Sequence, residues 1–182
     1  MSKAKSKGKA KILNSKIVFR GKVFGVRRDE VEEPGGVRAT REVITHSGSV
    51  VVLPVFDDGR ILMIRQYRHA ARQYLWELVA GRIDRGETVK HAAARELKEE
   101  TGYRAAKYHQ FLNFFPSPGF LQERMHLLLA KGLKAGEAEP EADEKIISHA
   151  YSANELKTMI KRGELKDGKS IAGILFYLTF LK

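Results

Sequence analysis

The stretch from Thr88 to Gly102 constrains this chain more than any other. Residues 88–101 are mostly Ala, Lys, Arg, Glu, Leu and His, with no Gly or Pro until Gly102, which predicts a helix with a glycine stop. At about 3.6 residues per turn, Glu96, Glu99 and Glu100 fall within about 100° of one another, so three carboxylates crowd one face. Like charges three and four residues apart repel, and Arg95, which can pair with Glu99 at i,i+4, cannot neutralise three acids. A solvated charged face is the ordinary explanation of such a triplet. The alternative is a set of oxygen ligands for Mg²⁺ or Mn²⁺, which bind carboxylates together with waters and substrate phosphates. Val89, Ala93 and Leu97 run beside these acids, so the acidic face borders the buried stripe, and that adjacency favours the metal.

Composition narrows the chemistry. The 182 residues suit one domain, or one domain with a small appendage, and can bury a sizeable core. No cysteine is present, which excludes disulfides, thiolate nucleophiles and cysteine-type zinc sites. The net charge of +11 points to an anionic partner, but its distribution matters more than its total. Six lysines lie within residues 1–16; without them 27 basic residues face 22 acidic ones, a net of +5. Residues 1–14 read as a basic disordered tail, too poor in apolar residues to offset ordering entropy. A nucleic-acid partner would rest mainly on that tail and is not expected. No apolar leader follows the lysine run, and the apolar stretches Val50–Phe56 and Ile171–Leu181 are too short or interrupted to span a bilayer. A soluble cytoplasmic protein without a membrane partner is the expectation.

Local patterning predicts strands at Lys16–Phe19, Lys22–Val26, Arg38–Thr45, Val50–Phe56, Arg60–Arg65 and Leu75–Val79, with a hairpin turn at Asp57-Asp58-Gly59. Further strands are expected at Lys107–Phe114, Arg124–Ala130 and Lys145–Tyr151, and helices at Ala153–Arg162 and Ser170–Leu181. A mixed sheet flanked by helices, an α/β fold, follows. The six histidines show no metal-ligand spacing and read as structural or surface residues.

The residues from Gly81 to Tyr103 resemble the Nudix box: Gly, five residues, Glu, seven residues, Arg-Glu, an aliphatic, any residue, Glu-Glu, any residue, Gly and a final aliphatic. Gly81, Glu87, Arg95, Glu96, Leu97, Glu99, Glu100 and Gly102 fill the fixed positions, and Tyr103 stands in the last aliphatic place. The resemblance implies a Nudix-fold α/β/α sandwich over residues 46–182, preceded by a small N-terminal β subdomain at 15–45 that serves dimerisation. It implies Mg²⁺-dependent (or Mn²⁺-dependent) hydrolysis of a nucleoside diphosphate linked to another moiety. Glu96 and Glu100 would ligate metal, Glu99 would be a further ligand or a base, and the Ala80 carbonyl would complete the shell. Gly81, Glu87 and Arg95 would support the loop and helix.

Four stretches outside the box resemble the ADP-ribose pyrophosphatase branch. Ile64-Arg65-Gln66-Tyr67-Arg68 matches a segment whose Arg, here Arg68, meets the pyrophosphate; a guanidinium suits phosphate because it donates two parallel hydrogen bonds. Trp76-Glu77-Leu78-Val79-Ala80-Gly81 resembles a Trp-Glu-Leu-Pro-Ala-Gly lead-in, with Val79 in place of Pro. Pro118, fifteen residues past Tyr103, resembles the proline that separates this branch from diadenosine polyphosphate hydrolases. Arg41 and Glu42 resemble a pair that holds the adenine end across a homodimer. In the acidic run 139–144, Glu144 aligns as a metal-proximal acid and Glu141 as a catalytic base, against the alternative of a solvated acidic loop. Glu123 is a candidate for organising the substrate loop, or an ordinary strand-edge charge. The implied reaction is ADP-ribose plus water to AMP and ribose 5-phosphate, with GDP-mannose or another nucleotide sugar as the alternative substrate. A different class of reading, an RNA-binding or regulatory module with a vestigial site, follows from the basic tail; the intact glutamates argue against it.

Overall fold

The computed structural model describes residues 8–138 and 145–182. It divides into two units, Met1–His46 with Ser117–Glu123, and Ser47–Pro116 with Arg124–Lys182.

The first unit is an antiparallel sheet in the order β1 (Lys11–Arg20), β2 (Gly25–Glu32), β3 (Arg38–Thr45). β1 begins five residues before the expected strand and takes up residues 11–14 of the expected tail, because Lys11 and Ile12 pair with Glu32 and Val31. Opposite charges facing each other across a ladder favour that register. The strand expected from Lys22 starts instead at Gly25, since Gly21 donates its N–H to the Phe24 carbonyl and closes the turn between β1 and β2. Asp29, almost fully buried, accepts hydrogen bonds from Ser15 Oγ and Arg27 Nε. In the segment 117–123, Phe120 accepts a hydrogen bond from Ile44 N at 2.8 Å, and Gln122 donates to the Ile44 carbonyl at 2.9 Å.

The second unit contains two sheets and three helices. β4 (Ser49–Pro54), β7 (Val79–Arg82), β8 (Arg104–Phe114) and β9 (Met125–Lys134) form a mixed sheet in the order β7-β4-β9-β8, with β4 and β9 parallel. β5 (Ile61–Arg68), β6 (Gln73–Glu77) and β10 (Ile147–Tyr151) form an antiparallel sheet in the order β10-β5-β6. The helices are α1 (Val89–Thr101), α2 (Ala153–Lys161) and α3 (Gly168–Phe180). Alternating side chains of β4 and β9 supply two separate cores, as the period of two along a strand requires. Val50, Val52, Leu128 and Ala130 pack with Ala92, Ala93 and Leu97 of α1; Val51, Leu53, Leu127 and Leu129 pack with Leu156 of α2 and with Ile174 and Tyr177 of α3. Helices on both faces of the sheet make the α/β/α arrangement.

Two further expectations differ in the second unit. The Asp57-Asp58-Gly59 turn forms, with Gly59 at φ +84°, but the strands it joins enter different sheets after one bridge between Val55 and Ile61. Both hydrogen-bonding edges of β4 are already taken by β7 and β9. The strand expected at Leu75–Val79 breaks at Leu78, the hinge between β6 and β7, where the buried Leu78 N–H goes to Ser170 Oγ at 2.7 Å instead of to a ladder.

Helix α1 ends at the glycine stop its sequence predicts and starts one residue later than expected, with Thr88 as its N-cap. Thr88 Oγ accepts from His91 N, and Gly102 at φ +75° donates to the Lys98 carbonyl. Tyr103, the departure from the box pattern, packs edge-on against Phe56 with ring centroids 5.4 Å apart. A Cβ on Gly102 would come within 2.5 Å of the Gly136 carbonyl oxygen. Gly102→Ala is therefore expected to cost at least about 1–2 kcal/mol from the left-handed backbone alone. Thermal unfolding should report a Tm lower by roughly 3–8 °C; an unchanged Tm would contradict the tight approach of residues 136–138.

Candidate active site

The box residues meet where β7 passes the C-terminal half of α1. Arg95 is their centre. Its Nε and Nη2 grip the two oxygens of Glu87 at 3.0 Å each, and its Nη1 donates to Glu96 at 2.7 Å and Glu99 at 3.0 Å. Nη2 also donates to the Arg82 carbonyl, which ties the end of β7 to the helix. Glu87 in turn accepts from Asp84 N. These hydrogen bonds hold the Glu87 carboxyl below the usual carboxylate range and raise the already high pKa of Arg95. Besides the i,i+4 pair with Glu99, the same guanidinium serves Glu87 and Glu96, because it carries donors in several directions.

Glu100 is buried, and its Oε2 accepts from Ala80 N at 3.3 Å. The Glu96 carboxylate lies over Gly81, so close that a Cβ there would fall on it. Two carboxylates thus flank the Ala80-Gly81 backbone, on a residue whose missing side chain makes the room. Among the described residues no three acidic or histidine side chains form a ready metal cluster, since Glu96 and Glu99 are turned toward Arg95. The donor chemistry nonetheless fits a hard divalent cation. Mg²⁺ is commonly held by one or two carboxylates plus waters and substrate phosphates, and the carboxylates over Ala80-Gly81 supply that number.

Arg68 belongs to a second cluster. Its Nε and Nη2 donate to the two oxygens of Glu77 at 2.8 and 2.7 Å, and Lys169 Nζ donates to Glu77 and to Asp167. Glu77 is 1% exposed. Burial alone would raise its pKa, but the hydrogen bonds from Arg68 and the charge and hydrogen bond of Lys169 prevail, and the carboxyl is held below its ordinary value. Glu77 raises Arg68 correspondingly, and the charge of Glu100 acts on Arg68 in the same direction. Sequence reasoning missed Glu77, Asp167 and Lys169 as site elements. The signal for Glu77 was an acid inside an apolar strand; Lys169, 92 residues away, left none.

The remaining candidates lie in the first unit or outside the described residues. Arg41 pairs with Glu33 at 2.6 Å and Glu42 with Arg28 at 2.6 Å. Glu123 faces His46 at 3.7 Å. Pro118 is in the turn where Phe120 and Leu121 donate to the Ser117 carbonyl. Glu141 and Glu144 lie outside the described residues.

The NUDIX domain model matches residues 45–173, and the model for the nucleoside diphosphate sugar hydrolase N-terminal domain matches residues 11–44. The chain belongs to the Nudix family. It is 38% identical over 166 residues to an ADP-ribose pyrophosphatase of Mycobacterium tuberculosis, covering 90% of this chain and 80% of that one. It is 41% identical over 127 residues to an ADP-ribose pyrophosphatase of Bacillus subtilis, covering 70% and 69%. A crystal structure of an ADP compounds hydrolase superposes with a TM-score of 0.84 at 26% identity, covering 96% of this chain and 95% of that one. Among the described residues, no helix is long and apolar enough to cross a membrane.

Glu77 provides a test of the second cluster. A carboxyl held below its unfolded pKa adds stability above that pKa, and the contribution disappears as pH falls through the folded value. At neutral pH Glu77→Gln should cost about 3 kcal/mol by leaving Arg68 and Lys169 without their shared partner. Urea unfolding should show that deficit at pH 7 and a smaller one at about pH 3, where the unfolded chain's carboxyl is already largely protonated. An equal deficit at both values would contradict the ion-pair origin.

Proposed function

We propose that the chain hydrolyses the pyrophosphate bond of a nucleoside diphosphate sugar, with ADP-ribose as the preferred substrate and Mg²⁺ as the cation. Water adds to one phosphorus, the bridging P–O bond breaks, and AMP and ribose 5-phosphate leave, with the proton passing to a carboxylate. The observation that carries this reading is the convergence of Glu96 and Glu100 on Ala80-Gly81 within a complete box. A divalent cation bound there supplies charge neutralisation of the pyrophosphate and an activated water.

In this reading Glu96 and Glu100, with the Ala80 carbonyl, hold the cation, and Glu99 is a further ligand or a base. Arg95 and Glu87 keep these carboxylates and the Gly81 loop in place. Arg68 holds the pyrophosphate, and Glu77 fixes its guanidinium. Arg41 and Glu42 take the adenine end, Pro118 and Glu123 shape the loop beside the substrate, and Glu141 serves as base with Glu144 near the metal. Related nucleotide sugars such as GDP-mannose are the competing substrates, a choice supported by the broader description of the family matched by residues 11–44.

The reading includes a homodimer built through residues 15–45. Its support is β1, where Ile12, Leu13, Ile17, Val18 and Phe19 are all exposed on a strand without a buried residue. An exposed apolar strand edge is a pairing surface, and a two-fold contact would cover it.

A panel of nucleoside diphosphate derivatives with Mg²⁺, scored for release of AMP or GMP, tests substrate and activity together. Glu96→Gln and Glu100→Gln are expected to lower kcat by about 10³-fold or more, in keeping with removal of a charged metal ligand, while circular dichroism stays unchanged. Gly81→Ala should act alike by displacing the Glu96 carboxylate. Near-normal turnover in Glu96→Gln would remove the metal assignment. Sedimentation should give twice the chain mass, and Ile17→Asp with Phe19→Asp should halve it; a monomeric wild type would end the dimer reading.

A further inference from the structure

The sheet β10-β5-β6 has two faces with different surroundings. Arg68 and Glu77 lie on one of them, joined by their hydrogen bonds. Side chains alternate along a strand, so Arg65 and Trp76, which stand directly opposite each other in the β5–β6 ladder, lie on the other. Tyr151 and His149 of β10 share that second face, opposite Ile61 and Met63 of β5. The rings there form a corner. Trp76 and Tyr151 meet edge to face with centroids 5.2 Å apart, and the His149 ring is 4.5 Å from that of Tyr151.

Between this corner and α2 lies a cavity of about 550 Å³, the size of an ordinary small-molecule site. Trp76, Tyr151 and Met159 line it with apolar surface and are themselves packed against the core, which fixes the walls. Its helix side is polar: Asn154, Thr158 and Arg162 recur at every fourth residue from the start of α2 to its C-cap and so share one face. Two acids on the rim already have partners. Glu155 accepts from Ser152 N in the capping box, and Glu164 faces Arg162 at 3.8 Å.

Arg65 is the second, independent observation. It is exposed, its guanidinium lies over the Tyr74 ring at 5.1 Å, and among the described residues it has no carboxylate partner. Burial and Glu155 push the Tyr151 hydroxyl up, while the charge of Arg65 acts on it in the opposite direction. Arg65 therefore stands within electrostatic reach of the cavity wall.

We propose that this cavity is a nucleotide-binding site separate from the box, taking an adenine mononucleotide. The adenine ring packs against the Trp76–Tyr151 corner, as bases do on aromatic side chains. The Asn154 amide pairs with the base edge, and Arg65 donates to the phosphate. An aliphatic ligand would leave the amide and Arg65 unused, and a phosphate alone would leave the aromatic corner unused. The site is on the sheet face turned away from Arg68, and it does not rest on the hydrolase reading.

Trp76 is the single tryptophan of the chain, so its fluorescence reports on the cavity directly. The full chain, kept free of divalent cations with EDTA, is titrated with AMP and with adenosine. AMP should quench Trp76 saturably, and adenosine should bind about 10-fold more weakly, as loss of a charge-assisted hydrogen bond predicts. Arg65→Ala should bring AMP to the affinity of adenosine and leave adenosine unchanged. Asn154→Asp, which the N-terminal turn of a helix tolerates, should weaken both ligands by about 10-fold. Both positions are exposed, so both variants should keep the wild-type Tm. Absence of saturable quenching at millimolar AMP overturns the proposal. So does wild-type affinity in both variants, which would put the ligand elsewhere on the chain, and so does equal affinity of the wild type for AMP and adenosine, which would leave no phosphate contact.

Discussion

The guanidinium of Arg95 is the interaction on which the box depends. It joins a loop acid, two helix acids and the last carbonyl of β7. Three carboxylates on one helical face would otherwise repel one another and fray the last turns of α1. With Arg95 among them the helix keeps its acids ordered without losing them to solvent. An Arg carries this out where Lys could not, because a point charge cannot grip the two oxygens of Glu87 and still reach two further carboxylates.

Around that centre the fold supplies rigidity through β4. Both faces of this strand are buried and both edges are paired, so α1 on one face and α2 with α3 on the other are held to a common reference. β7 lies directly beside it, and Val51 pairs with Ala80 in that ladder. The backbone that faces Glu96 and Glu100 is therefore paired to a strand buried along its whole length, and its position is set by that packing.

The box was legible in the sequence because its information is local. The spacing of Gly81, Glu87, Arg95, Glu96, Glu99, Glu100 and Gly102 prescribes a turn, a helix and a stop, and each has a local physical cause. The turn at Gly59 was legible for the same reason, whereas its separation of two sheets was not, since edge occupancy on β4 is decided by strands far away in the chain. The break at Leu78 was hidden because an apolar run gives no sign of where a strand changes sheets. Arg68 drew notice through its local segment, but its fixing by Glu77 together with Lys169 depends on a contact across 92 residues. The first residues of β1 looked like tail because lysine-rich composition masks a register that exists only once β2 is present.

The hinge at Leu78 has a consequence for the order in which the molecule is made. Its buried N–H is received by Ser170, and the neighbouring Glu77 by Lys169, both in the first turn of α3. The strand that leads into the box thus remains open at its turning point until a segment 92 residues later in synthesis has left the ribosome. During that interval the Leu78 N–H of the β6–β7 corner lacks the acceptor that α3 brings. The acidic helix segment is thus made well before the corner beside it is closed, and the docking of α3 is the event that closes it.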